Sequence, residues 1–121
     1  MEFRINAEDP AHDLRPAAGQ VERFHAPGGP GIRMDSHLYP GYNVPPYYDS
    51  LLGKLIVWGP DRETAVARSR AALDELLIEG LTTNVEVHRA LLQNDVFLEG
   101  RMTTNLLDRI GSAAFLAAAH A

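Results

Sequence analysis

The sequence has no cysteine among its 121 residues. This absence excludes disulfide bonds, thiolate metal ligands and a cysteine nucleophile, and it fits a reducing compartment. No apolar run approaches the roughly 20 residues that a membrane-spanning helix needs. The opening "MEFRINAEDP" is charged from its second residue, unlike a signal peptide. We therefore expect a cytoplasmic protein without a membrane partner.

Basic residues are outnumbered by acidic ones. The sequence has 11 Lys and Arg against 16 Asp and Glu, which gives a formal net charge of −5. A nucleic-acid footprint or a basic membrane patch needs the opposite balance, so we expect no nucleic-acid partner. The length predicts one domain, which is large enough to form a core without disulfides or metals.

Motifs for a self-contained active site are also missing. The histidines, at positions 12, 25, 37, 88 and 120, never stand four residues apart as in a zinc-protease helix, so we expect no metal site. We expect His25 and His37 to be strand residues paired with neighbours. The glycine-rich "GGPG" (residues 28–31) is followed by a predicted strand and not by a helix, so we interpret it as a turn. There is no G-x-S-x-G motif.

The first half of the sequence does contain strand patterns. Alternating or continuous apolar residues predict strands at 2–6, 20–25, 31–38 and 53–58. In the third of these, Arg33, Asp35 and His37 share the face opposite to the apolar one. Asp49 and Lys54 predict a surface ion pair of small energetic value.

From residue 60 the apolar period becomes helical. Residues 60–80 predict one helix with Asp61 as its N-cap and Gly80 just past its end. The predicted buried stripe consists of Val66, Leu73 and Leu77, flanked by Ala65, Ala72 and Leu76. A capping box "TNVE" (83–86) predicts a second helix, and a third is predicted to begin after residue 103 or 104.

Arg4 is the charged residue whose position says most about a possible function. In "EFRIN" the alternation places Phe3 and Ile5 on one face and Glu2, Arg4 and Asn6 on the other. Such an arginine either faces solvent or holds a planar guanidinium on a rigid strand, where it can stabilise an anion. The pattern alone does not choose between these interpretations.

Three stretches carry a family resemblance: "RINAEDP" (4–10), "GQVERFHAPGGPGIRMDSHLYPGYNVPPYYDSLLGKLIVWG" (19–59) and "ALDELLIEGLTTN" (72–84). In order and spacing they resemble the C-terminal domain of biotin carboxylase, a component of acetyl-CoA carboxylase and related biotin-dependent carboxylases. The resemblance covers about residues 2–107, and 28–59 looks most similar to the bacterial acetyl-CoA carboxylase subunit of fatty acid biosynthesis. It implies an α+β fold, with an antiparallel sheet curled into a half-barrel or barrel-sandwich hybrid and followed by packed helices. The implied domain spans 1–110, and 111–121 is an alanine-rich helical tail.

The resemblance also implies a function. The full enzyme is an ATP-dependent ligase that uses ATP and Mg²⁺ to activate bicarbonate and carboxylates N1 of biotin on a carrier protein. ATP and Mg²⁺ bind to upstream ATP-grasp domains, whose motifs this sequence does not contain, so the chain is expected to be an inactive fragment of a larger enzyme. Arg4 matches the family's arginine that contacts the ureido oxygen of biotin and stabilises the enolate. Phe3 stands where the family often has cysteine, and we expect it to pack in the core.

The implied partners are the ATP-grasp domains, the biotin carboxyl carrier protein, the carboxyltransferase and a second copy of the chain. By resemblance, the dimer interface contains Pro30, Arg33, Tyr47, Tyr48 and Asp49. An alternative for the two tyrosines, that both pack within one subunit, stays open. Two other functions stay open: an assembly or dimerisation module without a catalytic role, and an unrelated domain that shares only the fold.

Overall fold

A computed structural model describes residues 1–12, 15–45 and 51–94 together with residue 98. In these ranges the chain forms short strands, one 3-10 turn and two α-helices. The strands are β1 (Glu2–Asn6), β2 (Glu8–Asp9), β3 (Arg15–Pro16), β4 (Gly19–Gln20), β5 (Arg23–His25), β6 (Ile32–Ser36), β7 (Asn43–Val44), β8 (Leu51–Val57) and β9 (Leu77–Glu79). The 3-10 turn is Pro10–His12, and the helices are α1 (Arg62–Glu75) and α2 (Val85–Leu91).

The central sheet is antiparallel and has the strand order β1-β8-β6. This confirms the strands predicted at 2–6, 31–38 and 53–58, with small shifts in the last two. The stretch 20–25 is divided between β4 and β5, so it was predicted as one strand where there are two. The expected turn at 28–31 is also present, because Gly29 and Gly31 have φ of 127° and 72°.

Three further antiparallel ladders surround the central sheet: β2 with β3, β4 with β7, and β5 with β9. The mixed α/β architecture with antiparallel sheets agrees with the predicted class. Within the described ranges these ladders do not join into a closed barrel, and the curling into a half-barrel stays a prediction.

The core lies between the apolar face of the central sheet and the two helices. Along β1, Phe3 and Ile5 are buried while Arg4 is exposed, as the alternation predicts. The core residues that β8 and α1 contribute include Leu52, Leu55, Val57, Val66, Ala72 and Leu73. In the part of the chain that the structure describes, neither helix has the length and apolar character needed to cross a bilayer.

The predicted first helix is too long. Helix α1 ends at Glu75, and Leu76 already has an extended backbone with ψ of 124°. Residues Leu77–Glu79 pair with β5 as strand β9, which leaves Leu77 exposed and not on the buried stripe. Gly80, with φ of 111°, turns the chain after β9 and does not follow a helix end. Pairing with β5 therefore overrides the helical period of this segment.

The capping box of the second helix is also wrong in detail. The N-cap of α2 is Asn84 and not Thr83, and the Asn84 side chain makes no cap hydrogen bond. Thr83 Oγ1 does accept a hydrogen bond from the Val85 N–H at 3.4 Å, and Glu86 forms an ion pair with Arg89. The third helix, the tail 111–121 and Asp49 of the predicted pair with Lys54 lie outside the described residues.

Candidate functional site

Arg4 lies on the exposed face of the central sheet, in a row of charged residues. It is the cross-strand neighbour of Lys54 on β8, and Lys54 in turn is the neighbour of Asp35 on β6. Since side chains alternate along each strand, these three residues share the face opposite to the core. The positive side chains of Arg4 and Lys54 therefore lie side by side at the β1 end of this row.

The guanidinium of Arg4 has the features of an anion-binding group. Within the described ranges it makes no hydrogen bond or ion pair, and the residue is exposed. A guanidinium offers five N–H donors in a planar fork and stays charged at any physiological pH. Beside Lys54, it can donate hydrogen bonds to a ligand oxygen that carries negative charge.

The backbone of Arg4 is held by side chains of α2 and of its N-cap residue. The Arg4 carbonyl accepts a hydrogen bond from Asn84 Nδ2 at 3.0 Å, and His88 Nε2 lies 2.9 Å from the same oxygen. Asn84 Oδ1 accepts from the Asn6 N–H at 2.9 Å, and the Asn84 N–H donates to the Asn6 carbonyl at 3.1 Å. Asn84 and His88 thus occupy the edge of β1 that faces away from β8.

The contact with Arg4 determines the tautomer of His88. A carbonyl oxygen can only accept, so Nε2 must carry the proton. Nδ1 then has a lone pair that is buried without a hydrogen-bond partner in the described part of the chain. Burial lowers the pKa of His88, although the Arg4 carbonyl opposes this shift. The imidazole is therefore neutral at neutral pH, with its ring edge-on to that of Phe3 at a centroid distance of 5.2 Å.

Phe3 is the residue next to Arg4 on β1. Its side chain is buried in the core on the face opposite to Arg4. This confirms the expectation that Phe3 packs internally and does not contact the charged row.

The residues predicted for a dimer interface are only partly described. Pro30 is exposed in the turn before β6, and Tyr47, Tyr48 and Asp49 lie outside the described residues. Arg33 is exposed and forms a bidentate pair with Asp35, with distances of 3.0 Å and 2.7 Å. This hydrogen bonding lowers the pKa of Asp35 and raises the pKa of Arg33 above its ordinary value.

An exposed tryptophan was missed by the sequence analysis. The Trp58 residue is 65% exposed, and its backbone N–H donates to Gly31 O at 2.8 Å, beside the start of β6. The Arg68 guanidinium stands 6.0 Å from the Trp58 ring centroid and donates to its carbonyl at 2.8 Å. The sequence feature that points to this tryptophan is the apolar run of β8, which continues for one residue beyond the end of the strand.

The other histidines that were interpreted as paired do have neighbours. His25 Nε2 lies 3.2 Å from Glu75 Oε1, and the His37 ring is 5.1 Å from that of Tyr42. Among the described residues, no cluster of three or more His, Asp or Glu is arranged to hold a metal ion.

Asn84 and His88 were missed as site residues. Their i, i+4 spacing does predict a shared helix face, but sequence alone gives no sign that this face meets β1. The capping-box pattern predicts Thr83 as the N-cap, and the spacing of the histidines bears on His88 only as a metal ligand.

Comparison with known proteins identifies the family. The profile described as the biotin carboxylase C-terminal domain matches residues 2–109. A biotin carboxylase from a Nostoc species is 53% identical over 110 residues, covering 91% of this chain. The biotin carboxylase domain dimer of Hydrogenobacter thermophilus 2-oxoglutarate carboxylase, solved with MgADP and bicarbonate, superposes with a TM-score of 0.86 at 44% identity over 89% of this chain. The fold and these matches define a domain of biotin-dependent carboxylases. The chain belongs to the biotin carboxylase C-terminal domain family.

The relatives are much longer than this chain. It spans 25% of the Nostoc protein and 24% of the Hydrogenobacter chain. A pyruvate carboxylase component from Methanothermobacter thermautotrophicus is also 44% identical over 89% of this chain, which is 22% of that protein. The same domain therefore occurs in carboxylases with different names.

Proposed function

We propose that this chain is the part of an ATP-dependent biotin carboxylase that supplies Arg4 to the ureido oxygen of biotin. The observation that carries the proposal is the exposed guanidinium of Arg4, which has no partner in the described residues and stands on a strand whose backbone is fixed by α2. Family membership supports it, because Arg4 lies in the "RINAEDP" motif.

Arg4 would act as a hydrogen-bond donor and a fixed positive charge. Biotin, as substrate, loses the N1 proton before N1 is carboxylated, and negative charge collects on the ureido oxygen. A guanidinium already in place stabilises that charge without reorganisation during the reaction. Lys54, the cross-strand neighbour of Arg4, adds positive potential on the same face.

The rest of the reaction belongs to other parts of the proposed enzyme. ATP, Mg²⁺ and bicarbonate would bind to ATP-grasp domains, and biotin would arrive on its carrier protein before a carboxyltransferase uses the product. We propose acetyl-CoA carboxylase of fatty acid biosynthesis, in the cytoplasm, as the setting, with the isolated chain inactive. The half-barrel form of the sheet is part of the same proposal.

The test is complementation with the missing domains. The chain is mixed with the ATP-grasp domains of the Nostoc relative, and biotin-dependent ADP release is followed with ATP, Mg²⁺, bicarbonate and free biotin. Arg4→Ala is expected to lower kcat about 100-fold to 1,000-fold, the usual effect of removing an oxyanion donor. Co-elution of the two parts in gel filtration establishes that each variant still assembles.

Arg15→Ala is the matched control, because it removes an exposed arginine from β3, outside the central sheet. It is expected to leave turnover within about twofold of the wild-type value. Equal turnover for wild type and Arg4→Ala would show that Arg4 has no catalytic part, and the role of the domain would then be assembly.

A second candidate function, dimer assembly, has its own support. The exposed Arg33–Asp35 pair and the exposed Trp58 lie at neighbouring positions around the start of β6. Tryptophan and arginine are enriched in protein–protein interfaces. We therefore propose that this face binds a second copy of the chain.

A further inference from the structure

The contact between α2 and β1 has a specific target, the peptide unit that carries Arg4. We infer that Asn84 and His88 are positioning residues that hold Arg4 in place for biotin. This inference rests on the proposed function of Arg4 and extends it to residues on another element. Neither side chain is expected to touch the substrate.

The geometry fixes β1 from three directions. On one edge, β1 pairs with β8 through the register of Phe3 with Leu55 and Ile5 with Gly53. On its other edge, hydrogen bonds with the side chains of Asn84 and His88 take the place of a neighbouring strand. Beneath the strand, Phe3 and Ile5 are anchored in the core. Arg4 therefore projects from a backbone that has little freedom to move.

Both side chains give up local interactions to make this contact. Asn84 is the N-cap of α2, yet its amide makes no cap hydrogen bond because it is directed to β1. His88 donates through Nε2 and leaves Nδ1 buried without a partner among the described residues. Thr83 Oγ1 accepts from the first N–H of α2, that of Val85, at 3.4 Å in place of the Asn84 amide, and the buried, unpaired Nδ1 of His88 costs stability relative to an apolar residue. A requirement to hold the Arg4 carbonyl with two donors accounts for the position of the Asn84 amide and for the unpaired Nδ1 of His88.

A carbonyl with two donors has both of its lone pairs engaged. Loss of either donor leaves the peptide plane between Arg4 and Ile5 less restrained, and the Arg4 Cα lies in that plane. A misplacement of about 1 Å at a reacting group can cost about 100-fold in rate. Loosening of this peptide is therefore expected to lower turnover without changing ATP binding.

The first measurement uses the chain itself. The N–H of Ile5 belongs to the same peptide unit as the Arg4 carbonyl, so its ¹⁵N order parameter reports the motion of that unit. We expect about 0.85 in the wild type and a value nearer 0.6 in His88→Leu. His88→Gln keeps an N–H donor of similar reach and is expected to restore the wild-type value. An unchanged order parameter in His88→Leu would overturn the positioning role.

The second measurement is turnover in the complex with the ATP-grasp domains. His88→Leu and Asn84→Ala are each expected to lower kcat for biotin-dependent ADP release about tenfold, with the KM for ATP unchanged and with rescue by His88→Gln. In an Arg4→Ala background, His88→Leu is expected to cause no further loss, because it acts through Arg4. An equal loss with and without Arg4 would overturn the inference in favour of a merely structural role.

The two proposals can fail separately. If Arg4→Ala lowers turnover and His88→Leu does not, only the positioning role is overturned. If Arg4→Ala leaves turnover unchanged, the proposed function is wrong, and the inference that depends on it is overturned as well. Should Asn84→Ala fail to fold, the His88→Leu and His88→Gln pair still decides the matter.

Discussion

Among the glycines that the structure describes, Gly80 is the one whose replacement is expected to be most harmful. Its φ is 111°, and a Cβ at this position would lie 2.0 Å from Gln20 O. Both observations disfavour any side chain, because the backbone conformation is strained for L-residues and the clash is with another part of the backbone. We expect Gly80→Ala to lower the free energy of unfolding by at least about 1–3 kcal/mol, measured by urea denaturation.

Gly28 provides a matched control for this substitution. It is exposed, its φ is not positive, and an added Cβ would meet nothing within 4 Å. Gly28→Ala is expected to change the free energy of unfolding by no more than about 0.5 kcal/mol. Similar losses for the two variants would show that the turn at Gly80 is not required for the pairing of β5 with β9.

At the residue scale, sequence alone could predict faces but not contacts. The alternation in β1 correctly exposes Arg4 and buries Phe3 and Ile5. The partners of the Arg4 carbonyl lie on a helix 80 and 84 positions further along the chain. No local pattern encodes that meeting, because it depends on how α2 packs against β1. Candidate charges are therefore easier to predict than the groups that hold them.

At the scale of elements, the beginning of α1 depends on Asp61. The Asp61 side chain accepts a hydrogen bond from the Thr64 N–H at 2.7 Å, as the predicted N-cap requires. The hydrogen bonds from Thr64 are the main cause that lowers the pKa of Asp61 below its ordinary 3.8. Asp61→Ala is expected to lower the thermal midpoint by a few degrees at pH 7, measured by circular dichroism.

The same cap predicts a pH dependence. Since the pKa of Asp61 is lower in the folded chain than in the unfolded one, its contribution is complete above about pH 3.8 and is lost as pH falls through the folded pKa. Asp61→Asn keeps an oxygen acceptor but does not titrate, so it should retain the midpoint at pH 7 and lose less than the wild type below pH 3.8. Identical pH profiles for wild type and Asp61→Asn would contradict this account.

The ends of the helices also show where apolar periodicity alone does not predict the boundary of an element. The start of α1 was predictable, because a cap and an apolar stripe agree at Asp61. Its end was not, because Leu77–Glu79 can continue a helix or form a strand, and the choice is made by pairing with Arg23–His25. The N-cap of α2 was missed for a related reason: the Asn84 amide bonds to β1 and not to its own helix.

At the scale of the whole molecule, the family could be identified from long motifs in their order. Local patterns added the mixed α/β class and the position of the central sheet, but they gave no self-contained active site. This is expected of a chain that spans about a quarter of the relatives' length. Residues that act on ATP, bicarbonate or a carrier protein would belong to other parts of the proposed enzyme, so this sequence could not reveal them.

Dimerisation is the prediction that belongs to the whole molecule. We expect the chain to have twice its monomer mass of 13.3 kDa in light scattering. Arg33→Glu is expected to raise the dimer dissociation constant at least about tenfold, because it breaks the pair with Asp35 and sets two acidic side chains at the interface.

Arg15→Glu makes the same change in net charge on β3, outside the central sheet, and is expected to leave the mass unchanged. This control separates a local effect at the proposed interface from general repulsion between acidic molecules. A wild-type chain that stays monomeric would argue against self-association of this domain, and dissociation by both variants would assign the effect to net charge. Dissociation by Arg33→Glu alone would locate the interface at β6, on the same sheet face as Arg4.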